Sequence, residues 1–173
     1  IGHAMAKRAR GFDMNILYHG GSNVDYAQDV GATQVDFATL LKESDYLSLH
    51  VPLTTATRGI IDAQAFAQMK PTAVLINTAR GGVVDSEALV TALQTGAIGA
   101  AALDVTEPEP LSADPQADGS LHPLLSLPNC IVVPHLGSAT RSTRERMGMM
   151  AAQNLLAGLR GERLPNCVNV SVQ

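Results

Sequence analysis

AVLINTARGGVVDSEALVTALQTGAIGAAALDV, residues Ala73 to Val105, decides how this chain folds. Ala73 to Thr78 is almost continuously apolar, as a strand covered on both faces should be. Gly81 and Gly82 then make a turn. Asp85 can cap a helix from Ser86 to Gln94, with Gly96 at its C-terminal end. Ala97 to Val105 reads as a second strand, rich in Gly and Ala, which lets a helix or a ligand approach its backbone closely. Strand, helix and strand at this spacing form a crossover between parallel neighbours.

The same alternation extends in both directions. Met14 to Tyr18 reads as a strand ending at the turn residues Gly20, Gly21 and Asn23. Asp36 caps a helix over Phe37 to Glu43, because its carboxylate can accept from the free amides of the first turn. Tyr46 to Val51 is a strand stopped by Pro52. Asp62 caps another helix, which ends near Met69 because Pro71 disfavours helical geometry before it. Cys130 to Val133 is the last strand. A long amphipathic helix follows, from Ala139 to Leu159, stopped by Gly161, with a Met and Leu stripe read as core packing. Thr106 to Pro128 reads as loop, punctuated by Pro108, Pro110, Pro115 and Pro123, and loops of this length inside a compact domain are usually functional or disordered.

The chain opens on Ile1-Gly2 and Ala4-Met5-Ala6, the first turns of a helix. A dinucleotide fold opens with strand, GxGxxG and helix, and only the final glycine of that motif is present, as Gly2. One glycine alone is an ordinary helical residue. With the rest of the pattern, the expectation is an α/β chain: a Rossmann-type parallel sheet with helices on both faces and its first strand missing.

Composition narrows the partners. Among 173 residues, 12 basic against 16 acidic side chains give a formal net charge of -4, which argues against a nucleic-acid footprint. Aromatics reach only 3% and there is no Trp, so base-stacking platforms are not expected. No apolar run is long enough to span a membrane, and no signal-peptide pattern is visible. Cys130 and Cys167 lack metal-ligand spacing and read as buried thiols in a reducing cytoplasm.

Three residues stand just past the C-terminal ends of strands, where open parallel sheets place ligands: Arg80, Glu109 and His135. A lone Arg or His there is usually a surface residue, and the shared topological position is what favours function. Arg offers a planar two-pronged cation suited to a carboxylate beside a carbonyl. His titrates in the range needed to protonate a carbonyl oxygen as hydride arrives, and a carboxylate beside it favours imidazolium and orients the ring.

NTARGGVVD (Asn77 to Asp85), ALDVTEPEP (Ala102 to Pro110) and PHLGSAT (Pro134 to Thr140) resemble, in order and spacing, the three C-terminal motifs of the D-isomer-specific 2-hydroxyacid dehydrogenases. LSLHVPLTTATRGII (Leu47 to Ile61) is similar to that family's cleft-lining segment, and NLLAGLRGERLPNCVN (Asn154 to Asn169) resembles the glyoxylate and hydroxypyruvate reductase branch. The resemblance implies hydride transfer between NAD(P)H and a small 2-keto or 2-hydroxy acid. It implies that Arg80 holds the substrate, that His135 donates the proton and that Glu109 pairs with it, Glu107 being the competing candidate. It further implies cofactor contacts from Ile1, His19, Gly20, Pro52, Thr78, Ala79, Asp104 and Gly137, with no metal.

The resemblance also implies residues 1–137 as the dinucleotide-binding domain and 138–173 as a long helix and segment returning to a substrate domain that the chain lacks. A cytoplasmic homodimer is expected. Three departures stand out: the missing N-terminal elements, a longer Leu111 to His122 link, and Tyr18-His19-Gly20-Gly21-Ser22 where NAD-preferring members carry an acid near Gly20. An acid there bonds the ribose hydroxyl and repels a 2′-phosphate, so its absence leans from NAD towards NADP. The alternative from another class is a nucleotide-sensing, non-catalytic corepressor on the same fold.

Overall fold

The computed structural model describes residues 1–20, 24–111 and 122–169, and divides into two units, Ile1–His135 and Leu136–Gln173. In the first unit the order is α1 (Gly2–Arg10), β1 (Leu17–Tyr18), α2 (Val24–Asp29), β2 (Thr33–Gln34), α3 (Phe37–Glu43), β3 (Tyr46–Leu49), α4 (Ala63–Phe66) and β4 (Val74–Asn77). A single turn of 3₁₀ helix (Gly81–Val83) leads to α5 (Ser86–Thr95), β5 (Ala100–Leu103), α6 (Pro123–Ser126) and β6 (Cys130–Val132). Every strand pair is parallel.

The strands form two sheets: β1 with β2, and β3, β4, β5, β6 in chain order. The expectation of a parallel sheet lacking a strand therefore meets a sheet in two pieces. Strand β1 is shorter than Met14 to Tyr18: Leu17 and Tyr18 pair with Thr33 and Gln34, and the Ile16 carbonyl accepts from the Thr33 amide at 2.9 Å. In the larger sheet Leu47 pairs with Leu75, and Leu75 with Ala101. Because its strands follow in chain order, right-handed crossings put α4, α5 and α6 on one face. The α4 and α5 helices lie against each other accordingly.

The core lies between these helices and the larger sheet. Leu75, Ile61, Val83 and Ile98 have no exposed surface, and Phe66, Leu41 and Leu89 have almost none. Each such side chain contributes roughly 1.5–3 kcal/mol by leaving water. The small residues of β5 serve close packing. A Cβ on Gly99 would lie 3.1 Å from the Thr72 carbonyl oxygen, tighter than ordinary contact. Asn129 closes this corner by donating to the carbonyls of Leu93 and Gly99, both at 3.2 Å.

The aspartate caps form as read. Asp36, Asp62 and Asp85 each accept from the amide three residues on, in Thr39, Ala65 and Ala88, at 2.8, 2.8 and 3.0 Å. The hydrogen bond from the Thr39 amide holds the Asp36 carboxyl below its ordinary range. Gly96 ends α5 at φ 73°, a conformation that suits glycine. Helix α4 stops at Phe66 rather than near Met69, and the chain continues through turns bonded from Gln68 to Ala65 and from Met69 to Phe66.

The structure departs from the sequence reading in three further places. The stretch Thr106 to Pro128 is not all loop: α6 begins with Pro123 in its first turn, and the His122 ring nitrogen Nδ1 accepts from the Leu124 amide at 3.3 Å. In the second unit α7 (Arg141–Leu159) is capped by the Thr140 hydroxyl, yet its apolar stripe is not core. Met149, Leu155 and Leu159 are 61%, 65% and 76% exposed, and Ala157 is its one buried residue. The two thiols also differ: Cys167 is exposed, whereas Cys130 is half-buried and its thiol is pushed up by burial.

Candidate active site

The site begins with Asn77, the last residue of β4 and only 1% exposed. Its amide cannot stay unpaired at that depth. Nδ2 donates to the Arg80 carbonyl and Oδ1 accepts from the Ala79 amide, both at 3.0 Å, so one buried side chain shapes the turn Thr78–Ala79–Arg80. The Arg80 side chain is exposed past the sheet end, with Nη1 on the Ala79 carbonyl at 2.6 Å. The Asn77 carbonyl accepts from the amide of half-buried Asp104 at 2.9 Å, which aligns the ends of β4 and β5.

Gly81 and Gly82 follow, in the 3₁₀ turn that bears out the sequence reading, and neither has a left-handed φ. What they supply is space. A Cβ on Gly81 would sit 2.0 Å from the Thr106 carbonyl oxygen, and one on Gly82 would sit 2.1 Å from Glu107 Oε2. The strand β5 exit loop thus lies directly on the Arg80 turn.

That loop carries Glu109 to His135. The two meet at 2.6 Å, Nδ1 to Oε1, which is short and charge-assisted when the ring is protonated. His135 has φ 50°, an uncommon conformation outside glycine that histidine adopts more readily than most residues. Glu107 points elsewhere: Arg58 Nη1 donates to both its carboxylate oxygens at 3.0 Å. Of the two glutamates, Glu109 makes the histidine contact.

A cleft of about 560 Å³ opens beside Arg80, lined by Ile1, His50, Val51, Pro52, Leu53, Thr78, Ala79 and Arg80. It brings together Ile1, Pro52, Thr78, Ala79 and Arg80 from the residues singled out above. Glu109, His135 and Asp104 are not on its lining. His19 and Gly20 stand past β1, on the smaller sheet. Nδ1 of His19 lies 3.0 Å from the Val35 carbonyl and must donate, since a carbonyl only accepts, and the ring sits 5.6 Å from that of Phe37. Gly20 has φ 77°. Gly137 belongs to the second unit, and Gly21 lies outside the described residues.

Sequence reading missed His50. It is half-buried in the cleft wall, its Nε2 is 2.9 Å from Ser48 Oγ, and burial pushes its imidazole below the ordinary range. A Cβ on Gly2 would lie 3.3–3.4 Å from it, so the glycine lets the start of α1 approach the cleft. The signal lies in the stretch LSLHVPLTT, where a histidine stands at the end of a strand two residues before Pro52. Among the described residues no group of three or more His, Cys, Asp or Glu is placed to hold a metal.

Parallel strands whose C-terminal ends carry a cleft, an arginine turn and a histidine–carboxylate pair define the class: an α/β module of the nucleotide-binding kind. Comparison with known proteins makes the assignment specific. Residues 1–137 match the family model described as D-isomer specific 2-hydroxyacid dehydrogenase, NAD binding domain. The chain is 48% identical over 173 residues to a glyoxylate reductase of Thermococcus litoralis, covering 99% of this chain and 50% of that protein. It is 48% identical over 174 residues to glyoxylate/hydroxypyruvate reductase B of Shigella boydii, covering 99% and 52%. A D-lactate dehydrogenase with NAD+ from Lactobacillus jensenii superposes with a TM-score of 0.86 at 34% identity, covering 98% of this chain and 52% of that one. The chain belongs to the D-isomer specific 2-hydroxyacid dehydrogenase family. It spans about half the length of the curated relatives it matches.

Proposed function

We propose that the full-length protein containing this chain reduces small 2-keto acids of the glyoxylate and hydroxypyruvate kind. The observation that carries this reading is the 2.6 Å contact of His135 with Glu109, on a loop seated against the Arg80 turn. Arg80 holds the substrate carboxylate and carbonyl with its planar fork. His135, bonded to Glu109 through Nδ1, has Nε2 left to give a proton to the carbonyl oxygen. Glu109 orients the ring through that contact.

A nicotinamide dinucleotide fits the cleft. Thr78, Ala79 and Pro52 line it, and Gly2 leaves room at the start of α1 for close approach. When bound, that cofactor supplies the hydride. Ile1, His19, Gly20, Asp104 and Gly137 complete the proposed cofactor set. The family model supports NAD, and Gly20 in place of an acid supports acceptance of NADPH as well. Gly20→Asp should shift the kcat/KM ratio towards NADH.

Residues 138–173 belong, on this reading, with the substrate domain of a cytoplasmic homodimer. The acidic balance supports a protein that uses neither nucleic acid nor membrane. Among the described residues no helix is long and apolar enough to cross a membrane. The test is nicotinamide absorbance on mixing the full-length protein with NADPH or NADH and glyoxylate, hydroxypyruvate or pyruvate. Oxidation of the cofactor is expected. Tight dinucleotide binding without turnover of any of these acids would favour the sensing protein instead.

A further inference from the structure

Arg58 and Glu107 stand outside the set assigned above, yet they lie where it is assembled. Arg58 Nη1 donates to both oxygens of Glu107 at 3.0 Å, across a sequence separation of 49 residues. The pair fills the space that a side chain at position 82 would need: a Cβ on Gly82 would fall 2.1 Å from Glu107 Oε2 and 2.9 Å from Arg58 Nη1. Ser86 Oγ donates to the Glu107 carbonyl at 3.3 Å, and the Gly59 amide donates to the Gly82 carbonyl at 2.8 Å. Three segments therefore meet at one point, around Arg58, Gly82 and Glu107. Arg80 lies two residues before that point on one segment, and Glu109 two residues after it on another.

We propose that the Arg58–Glu107 ion pair is a positioning latch, which seats the Glu109 loop on the Gly81–Gly82 turn and so sets Glu109 against His135 beside Arg80. The inference rests on the reductase reading above. Both partners are half-exposed, 57% and 50%, and exposed pairs add little to global stability. The effect of the latch is local geometry. By holding Glu107, Arg58 also keeps the loop's other glutamate out of competition for the histidine.

In the full-length protein, two substitutions disturb the same ion pair. Glu107→Ala removes the latch, and Gly82→Ala displaces it. Each should lower kcat for glyoxylate reduction about three- to tenfold, less than the ~10²-fold cost of a full 1 Å misplacement. Each should leave KM for glyoxylate and cofactor Kd within about twofold, so that the loss falls on kcat. The double variant should be no worse than the poorer single, because the Glu107 carboxylate that a methyl group at position 82 would strike is gone. Arg58→Lys, which keeps a donor and the charge, should stay within about twofold of wild type.

An activity-independent reading comes from the NMR signal of the His135 Nδ1 proton, which the 2.6 Å contact with Glu109 places far downfield. In Glu107→Ala it should move upfield or broaden away. An unmoved proton signal and an unchanged kcat in Glu107→Ala, or multiplicative losses in the double variant, overturn the latch. If the wild type reduces none of the keto acids, the reductase reading fails and the NMR signal alone decides the latch. If wild type is active, His135→Gln is not, and Glu107→Ala matches wild type throughout, the latch fails alone.

Discussion

Gly81→Ala adds one methyl group, and the structure says where it goes. The Cβ would sit 2.0 Å from the Thr106 carbonyl oxygen, 2.1 Å from its carbon and 2.6 Å from the Glu107 nitrogen. All three atoms are backbone, so no side chain can swing aside. Ordinary contact begins near ~3.4 Å, so the two segments must part by roughly 1 Å or more. The residue's φ is not left-handed, and alanine brings no conformational penalty of its own. The displaced loop is the one that carries Glu109, whose contact with His135 is 2.6 Å. A separation of that size breaks the contact, and a misplacement of about 1 Å costs on the order of 10²-fold in rate. The assay is steady-state glyoxylate reduction by the full-length protein, with cofactor Kd from fluorescence quenching and a thermal melt alongside. The expectation is a ~10²-fold loss of kcat with Kd changed less than about threefold. A variant within twofold of wild-type kcat would refute the packing argument.

Arg80→Lys keeps the charge but loses the two-pronged geometry, so KM for glyoxylate should rise and kcat fall, as saturation curves will show. Glu109→Gln keeps the shape but replaces a short charge-assisted contact with a neutral one, so kcat for glyoxylate reduction should fall while cofactor Kd holds. Burial lowers the His50 imidazole, so the unfolded chain takes up its proton first as pH falls below the ordinary histidine value near ~6.5. Stability should therefore drop in that window, and His50→Asn should lessen the drop in urea midpoints measured at pH ~7.5 and ~5.5.

What is legible in the sequence is local chemistry. Asp36, Asp62 and Asp85 announce helix starts because the capping carboxylate and the amide it accepts from are three residues apart. Gly96 announces a helix end for a similar reason. The apolar run ending at Asn77 reads as an interior strand because both faces are covered. The motif order brings Arg80, Glu109 and His135 forward without any geometry, although periodicity alone cannot pair Glu109 with His135 over Glu107.

What is not legible is set by distant contacts. Gly81 and Gly82 look like turn glycines, but Thr106 and Glu107 impose the need for them by packing on their missing side chains. Arg58 is an ordinary surface charge, and Glu107 a rival to Glu109, until folding brings the two together. The Met and Leu residues of α7 share the composition of core residues, yet exposure depends on what packs beside them and not on periodicity. Helix α6 is four residues long, too short for a periodic signal, and only Pro123 at its start marks it.

His135, as the proposed proton donor of a keto-acid reductase, is the residue on which turnover depends most directly. The direct measurement compares kcat for glyoxylate reduction and Kd for the cofactor in the full-length wild type and in His135→Gln. Glutamine can hydrogen-bond but cannot deliver a proton at neutral pH, so kcat should fall by ~10²–10⁴ while cofactor affinity holds. Turnover within tenfold of wild type would contradict the assignment, as would a loss of cofactor binding large enough to explain the fall in rate.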